Sequence, residues 1–205
     1  MGDTVTIMTS PANSVDSLEI LETIASDRRT NLRVHRDLPV PNELIDRLVL
    51  LAATAPNHRR TFPWRFRIIQ GAARGQLGTA LTADLAEAGE PEAKQEKART
   101  KYLRAPVMIA VASRCGEDEL MTAENRDAVA SAIQTLLLGA TAAGLASYWS
   151  TGGAVSSTRV TKFCNFDPTD TLVGLIYLGW PIGEPPKPSR PAPEIERLGE
   201  SPVTP

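Results

Sequence analysis

Three short runs of this sequence carry side chains that bind or react. Asp27-Arg28-Arg29-Thr30-Asn31 sets two adjacent guanidinium groups beside a hydroxyl. That set holds a phosphate by charge and by the planar guanidinium fork. APNHRRTFPWRF, residues 55 to 66, gathers His58, Arg59, Arg60, Phe62 and Trp64 behind Pro56. It admits three chemistries: a basic patch for nucleic acid, a histidine acid or base, or a cradle for an anionic cofactor. Tyr148-Trp149-Ser150-Thr151-Gly152-Gly153 offers a flat ring, two hydroxyls and backbone that glycines leave open to a planar ligand. Each run taken alone also has a plain explanation. Cations suit a helix C-terminus, and a Ser-Thr-Gly-Gly run makes a tight turn.

Other chemistries find little support. There is no GxSxG, and the only histidines are His35 and His58, so no nucleophile and base pair can be read and no catalytic residue is assigned. Cys115 and Cys164 follow neither CxxC nor zinc spacing, which predicts no metal site and two reduced thiols. A Walker lysine motif is absent. Gly71, Gly75 and Gly78 follow a strand and enter a helix, but their spacing is GxxxGxxG rather than the dinucleotide fingerprint. The net charge of -2 and the pI near 5.8 argue against a nucleic-acid binder.

The elements that must position these runs are legible from periodicity. Ser14 to Asp27 reads as a first helix, with Ser14, Asp16 and Ser17 as cap candidates and Leu18, Leu21 and Ile24 at helical spacing. Pro41 opens a second helix with Leu44, Ile45, Leu48, Leu51, Ala52 and Ala55 as its apolar stripe, and Pro56 ends it. Strands are expected at Trp64 to Gln70, Pro106 to Ser113, Ala146 to Trp149 and Thr171 to Leu178. Helices are expected at Ala72 to Ala88, Thr122 to Gly144 and Ser156 to Cys164, with Ser156 or Ser157 as the last cap. Glu90 to Tyr102 is highly charged and reads as helical or mobile. Ala83 to Thr100 is the only candidate lid.

The chain has 205 residues and divides into a flexible segment 1–14, one domain 15–180 and a tail 181–205 that holds eight of the sixteen prolines. No secretion signal opens it, which predicts a cytoplasmic protein. Ala128 to Thr158 has no charged side chain, yet it is rich in Ala, Gly, Ser and Thr. It reads as a buried core or interface helix whose small residues admit a neighbour, and no membrane span is expected. Interleaved helices with few, unevenly spaced strands give an α+β layered domain.

In chain order, these segments resemble the nitroreductase family of FMN-dependent oxidoreductases, and its short members most. RRT at 28–30, APNHRRTFPWRF, RAPVMIAV at 104–111, GLASYWSTGG and VGLIYLGWP carry the resemblance, which spans Ser17 to Trp180. It implies an α+β fold with a central, mostly antiparallel sheet flanked by helices, and a homodimer that exchanges its C-terminal segment and holds FMN at the interface. It implies that Arg28 and Thr30, with Arg29 beside them, hold the phosphate and ribityl chain. Trp149, Ser150, Thr151 and Gly152 would lie along the same flavin, and His58 would reach the flavin of the other subunit. The implied activity is ping-pong hydride transfer from NAD(P)H to a small acceptor such as a nitroaromatic or quinone. Two departures stand out. Phe62 sits where similar short members carry glutamine near the flavin, and Leu32 where larger members place a lysine. They keep open a flavin-binding protein with little turnover, in a storage or regulatory role. A flavin-dependent dehydrogenase or dehalogenase of the same fold is a further alternative, as is a structural interaction protein.

Overall fold

The computed structural model describes residues 11–184 and 188–198. The expectation for residues 1–10 lies outside the described residues. Helix α1 (Pro11–Asp27) starts three residues before the expected Ser14. Helix α2 (Asn42–Ala52) follows Pro41, whose fixed φ of -57 sets its entry. Strand β1 (Trp64–Gln70) leads into α3 (Ala73–Glu87) and α4 (Glu92–Thr100), so the charged segment after Glu90 is helical. Strand β2 (Val107–Ser113) precedes the long α5 (Glu119–Ala142). Strand β3 (Ala146–Ser150), the short α6 (Thr158–Phe163) and β4 (Thr171–Gly179) complete the domain.

The four strands form one sheet in the order β1-β2-β4-β3, and every pairing is antiparallel. Helices cover both faces, so the two inner strands are apolar on both sides. Val107, Ile109 and Val111 of β2 face α2 and α5, while Met108, Ala110 and Ala112 pack toward α3 and α6. The uncharged half of α5 lies across the first face. Gly139 there leaves room for α2, because a Cβ would come within 2.7 Å of Leu51 Cδ2 and 3.0 Å of Leu48 Cδ2. The small residues of that run thus admit a neighbouring helix, as their sequence predicts. Asp118 caps α5 by accepting from Met121 N at 2.7 Å. This side chain sets the start of α5 three residues ahead of the expected Thr122.

The other face carries the segment expected as a lid, tied to its neighbours at two places. A Cβ at Gly78 would overlap the Arg99 carbonyl, so α3 and α4 touch backbone to backbone. Asp84 of α3 accepts from Ser157 Oγ and from the backbone and side chain of Arg159, and Arg159 also reaches Glu87. Burial alone would raise the Asp84 carboxyl; the hydrogen bonds from Ser157 and Arg159 overcome it and hold the group below its ordinary value. Ser157 meanwhile caps α6 through Val160 N at 3.0 Å. Of the glycines at 71, 75 and 78, the first serves a turn and the last serves packing. Gly71 turns the chain with φ +57, and Gly78 admits α4.

Candidate functional site

The sheet order decides which of the three runs can meet. Thr30 forms a parallel bridge with Ser147, and Asn31 N donates to the Ser147 carbonyl at 2.9 Å. The Arg28–Thr30 run therefore lies along the outer edge of β3. Ser150, Thr151 and Gly152 lie at the exit of that same strand. His58 to Phe62 precede β1, at the opposite edge. Three strand spacings, about 14 Å by ordinary sheet geometry, separate β1 from β3. One chain thus joins two of the runs and leaves the third apart.

The β3 edge is electropositive for a reason absent from the sequence reading. Arg190 of the tail donates to the carbonyls of Ser26 and Arg28, at the C-terminus of α1. Its charge stands beside the Arg28 guanidinium. Burial first, and then the like charge of Arg190, lower Arg28 below the ordinary arginine value. Among the described residues Arg28 has no carboxylate partner. Arg29 is held locally: its Nε donates to the Asp27 carbonyl at 2.8 Å, and it lines a cavity of about 250 Å³ with Asn31, Thr141 and Pro181. The tail reaches this place because Ile182 N donates to the Arg33 carbonyl at 2.8 Å and Val34 bridges Pro181. These contacts are made within one chain.

At the exit of β3, Thr151, Gly152 and Gly153 are exposed. A Cβ built on either glycine meets nothing within 4 Å, and Gly152 has φ -68, which any residue adopts. Neither packing nor backbone conformation asks for glycine here, so their smallness leaves the backbone approachable from outside. Trp149 has a different setting. Its indole packs with the α5 side of the core and donates to the Val173 carbonyl at 3.3 Å. It can do so because β4 carries a bulge at Val173 and because a Cβ on Gly174 would overlap the indole. Leu32 likewise turns inward and packs against the core cluster that holds Tyr177.

The opposite edge presents a strained loop. Arg59, Arg60 and Phe62 have φ of 58, 52 and 46, in the left-handed region that side chains other than glycine seldom adopt. Asn57 holds the loop: Nδ2 donates to the His58 carbonyl at 3.2 Å and to Thr61 Oγ1 at 3.0 Å, and Oδ1 accepts from Phe62 N at 2.7 Å. Thr61 in turn donates to the buried Asn125, and His58 Nδ1 lies 2.9 Å from Glu124 Oε2. Phe62 stays 59% exposed, its ring edge toward Trp64 at 6.1 Å.

A cavity of about 630 Å³ opens elsewhere, between α6 and the loop into β4, among Val155, Thr161, Lys162, Phe166 and Asp170. None of the nine candidate residues lines it. No group of three or more His, Cys, Asp or Glu among the described residues could hold a metal, and no described helix is long and apolar enough to cross a membrane. Cys164 is buried and its thiol is pushed up to about 11 by that burial, whereas Cys115 is exposed.

Comparison with known proteins bears on the family and the fold. A model of the Nitroreductase family matches residues 25–180. The 5,6-dimethylbenzimidazole synthase of Rhodospirillum rubrum is 34% identical over 185 residues, covering 83% of this chain and 84% of its own. Among solved structures, a nitroreductase-like family protein from Bacillus cereus superposes with a TM-score of 0.73 at 21% identity, covering 92% of this chain and 95% of its own. The FMN-dependent nitroreductase NfnB from Mycobacterium smegmatis, solved in complex with NADPH, gives 0.65 at 22% identity, covering 81% and 89%. The two structures share the α+β fold described above, and with the family match over most of its length the chain belongs to the Nitroreductase family.

Proposed function

We propose that the protein is an FMN-dependent oxidoreductase that takes reducing equivalents from NAD(P)H and passes them to a small acceptor such as a nitroaromatic or a quinone. The observation that carries this reading is the guanidinium pair of Arg28 and Arg190 at the β3 edge. Two like charges without a carboxylate between them are relieved by an anion, and a phosphate suits the fork of Arg28 together with the N–H groups that Arg190 has left beyond the Ser26 and Arg28 carbonyls. The open backbone at Gly152 and Gly153 fits a planar ring farther along the same edge. The residues present therefore fit FMN. When bound, the flavin supplies the hydride chemistry that no side chain of this site provides.

The chain's own part is to bind, orient and shield. Arg28 with Arg190 holds the phosphate, with Arg29 beside them steadied by Asp27. The Thr30, Ser150 and Thr151 hydroxyls face the polar chain, and Trp149 and Gly152 border the ring. A second copy supplies His58 and Phe62, since the sheet order keeps them from the cradle of their own chain. The exposed Leu18 and Leu21 of α1 and Leu50 of α2 give that homodimer apolar surface to bury. Exchange of tail segments between copies would keep the pair of Arg28 and Arg190, with the tail of one copy seated on α1 of the other in place of the contact made within one chain. Donor and acceptor use one open face in turn, a ping-pong order.

The test is the visible spectrum of the purified protein, with the released chromophore identified, before and after NADH or NADPH under anaerobic conditions. A yellow protein carrying FMN that bleaches is expected. A colourless protein that refuses added FMN overturns the reading. A yellow protein that does not bleach points to binding without turnover, which Phe62 and Leu32 keep in view. The synthase relative favours a second reading, a different flavin reaction on the same scaffold. Bleaching by NAD(P)H with no turnover of any nitroaromatic or quinone would select it.

A further inference from the structure

We propose that Arg59 and Arg60 form a reading site for the 2′-phosphate of the electron donor, so that the protein uses NADPH in preference to NADH. This rests on the functional reading above, in which the His58 loop of one copy closes over the cradle of the other. The loop is strained at three non-glycine positions, and strain persists only where the surroundings over-determine it. Here Asn57, Thr61 and Asn125 do so, with His58 tied to Glu124. The left-handed backbone aims both arginines outward. They are exposed, and among the described residues neither guanidinium has a hydrogen-bond or ion-pair partner. A merely solvated pair of arginines needs no such scaffold; relaxed backbone would expose them as well.

The chemistry that matches is a dianion beside an aromatic base. Two adjacent guanidiniums on a fixed backbone match a phosphate monoester. The exposed ring of Phe62, next in the loop, offers a face to a purine. Of the two nicotinamide donors, only NADPH carries a phosphate monoester, and it stands on the adenosine ribose.

The experiment uses the FMN-loaded protein. Calorimetry compares 2′,5′-ADP with 5′-AMP, and steady-state kinetics give the NADPH to NADH ratio of kcat/KM for wild type and for R59A/R60A. The expected result is at least tenfold tighter binding of 2′,5′-ADP and at least a tenfold preference for NADPH, both collapsing toward one in the variant through KM rather than kcat. Equal binding of the two nucleotides, or equal use of the two donors by wild type, overturns the inference and leaves the flavin reading standing. So does a variant that keeps the wild-type ratio. A protein without flavin overturns both. The single variants R59A and R60A, each checked by thermal unfolding, separate a lost contact from a lost fold, and full retention of the preference in both singles and the double again counts against the site.

Discussion

The two edges of the sheet solve opposite problems. The β3 edge is relaxed and covered: ordinary backbone at Gly152, a bridge from Thr30, and the tail laid alongside with Arg190 on the end of α1. The loop before β1 is strained and bare, with Arg59, Arg60 and Phe62 held outward by Asn57. A surface that retains a ligand gains from being settled within its own chain. A surface that meets something brought by another molecule gains from being held in a fixed pose before contact. On the proposed function, the first edge would retain a ligand and the second would present one.

The sharpest way to break this contrast is to unsettle the relaxed edge. Gly174→Val drives a side chain into the Trp149 indole and is expected to cost about 3 kcal/mol, read from urea unfolding. If stability holds, β3 is not the rigid half. Arg28→Ala is expected to weaken FMN retention by about 2 kcal/mol, roughly thirtyfold, with little change in the melting of the flavin-free protein. Equal flavin content in that variant would detach the phosphate from this edge. Asn57→Ala frees the strained loop and leaves Phe62 N without its acceptor; a loss of about 1–2 kcal/mol is expected in thermal unfolding. Gly152→Ala sharpens the contrast from the other side. Stability should stay within about 0.5 kcal/mol, since a Cβ meets nothing there, while flavin affinity falls a few-fold. The last effect concerns what lies behind β3. Tyr102, Tyr177 and Tyr148 stack at 6.0 and 5.5 Å, and the buried Tyr102 hydroxyl has no partner. Tyr102→Phe removes that orphan group and is expected to stabilise by up to about 1 kcal/mol.

Much of this was legible in the chain. WRFRIIQ and PVMIAVAS alternate or run apolar as strands and Ser157 caps α6, whereas α2 ends at Ala52, short of the Ala55 and Pro56 at which the sequence predicts its end. The residue types at Arg28 and Ser150 suggest ligand chemistry in sequence, though each run alone reads equally as a helix end or a tight turn; that the two lie along one strand edge comes from the Thr30–Ser147 bridge. What the chain hid is what depends on distant partners. The role of Arg190 is invisible in a proline-rich tail, because nothing local says which carbonyls it will find. Trp149 is a flat ring in sequence; only the bulge at Val173 and the bare Gly174, on another strand, turn it onto the α5 side. The left-handed backbone at Arg59, Arg60 and Phe62 is unreadable because those residues normally avoid it. It is dictated by Asn57 and Thr61 acting through Asn125.

The placement of Arg190 couples two events that would otherwise be independent. Its guanidinium is seated on the last carbonyls of α1, yet it faces another positive charge in Arg28. An anion arriving there relieves that repulsion and so favours the seated tail; by reciprocity, a seated tail raises the affinity for the anion. On the proposed function the tail would act as a thermodynamic latch. A chain cut after Gly183 should lose flavin faster than it loses fold, and the intact chain should resist proteases more as the cradle fills.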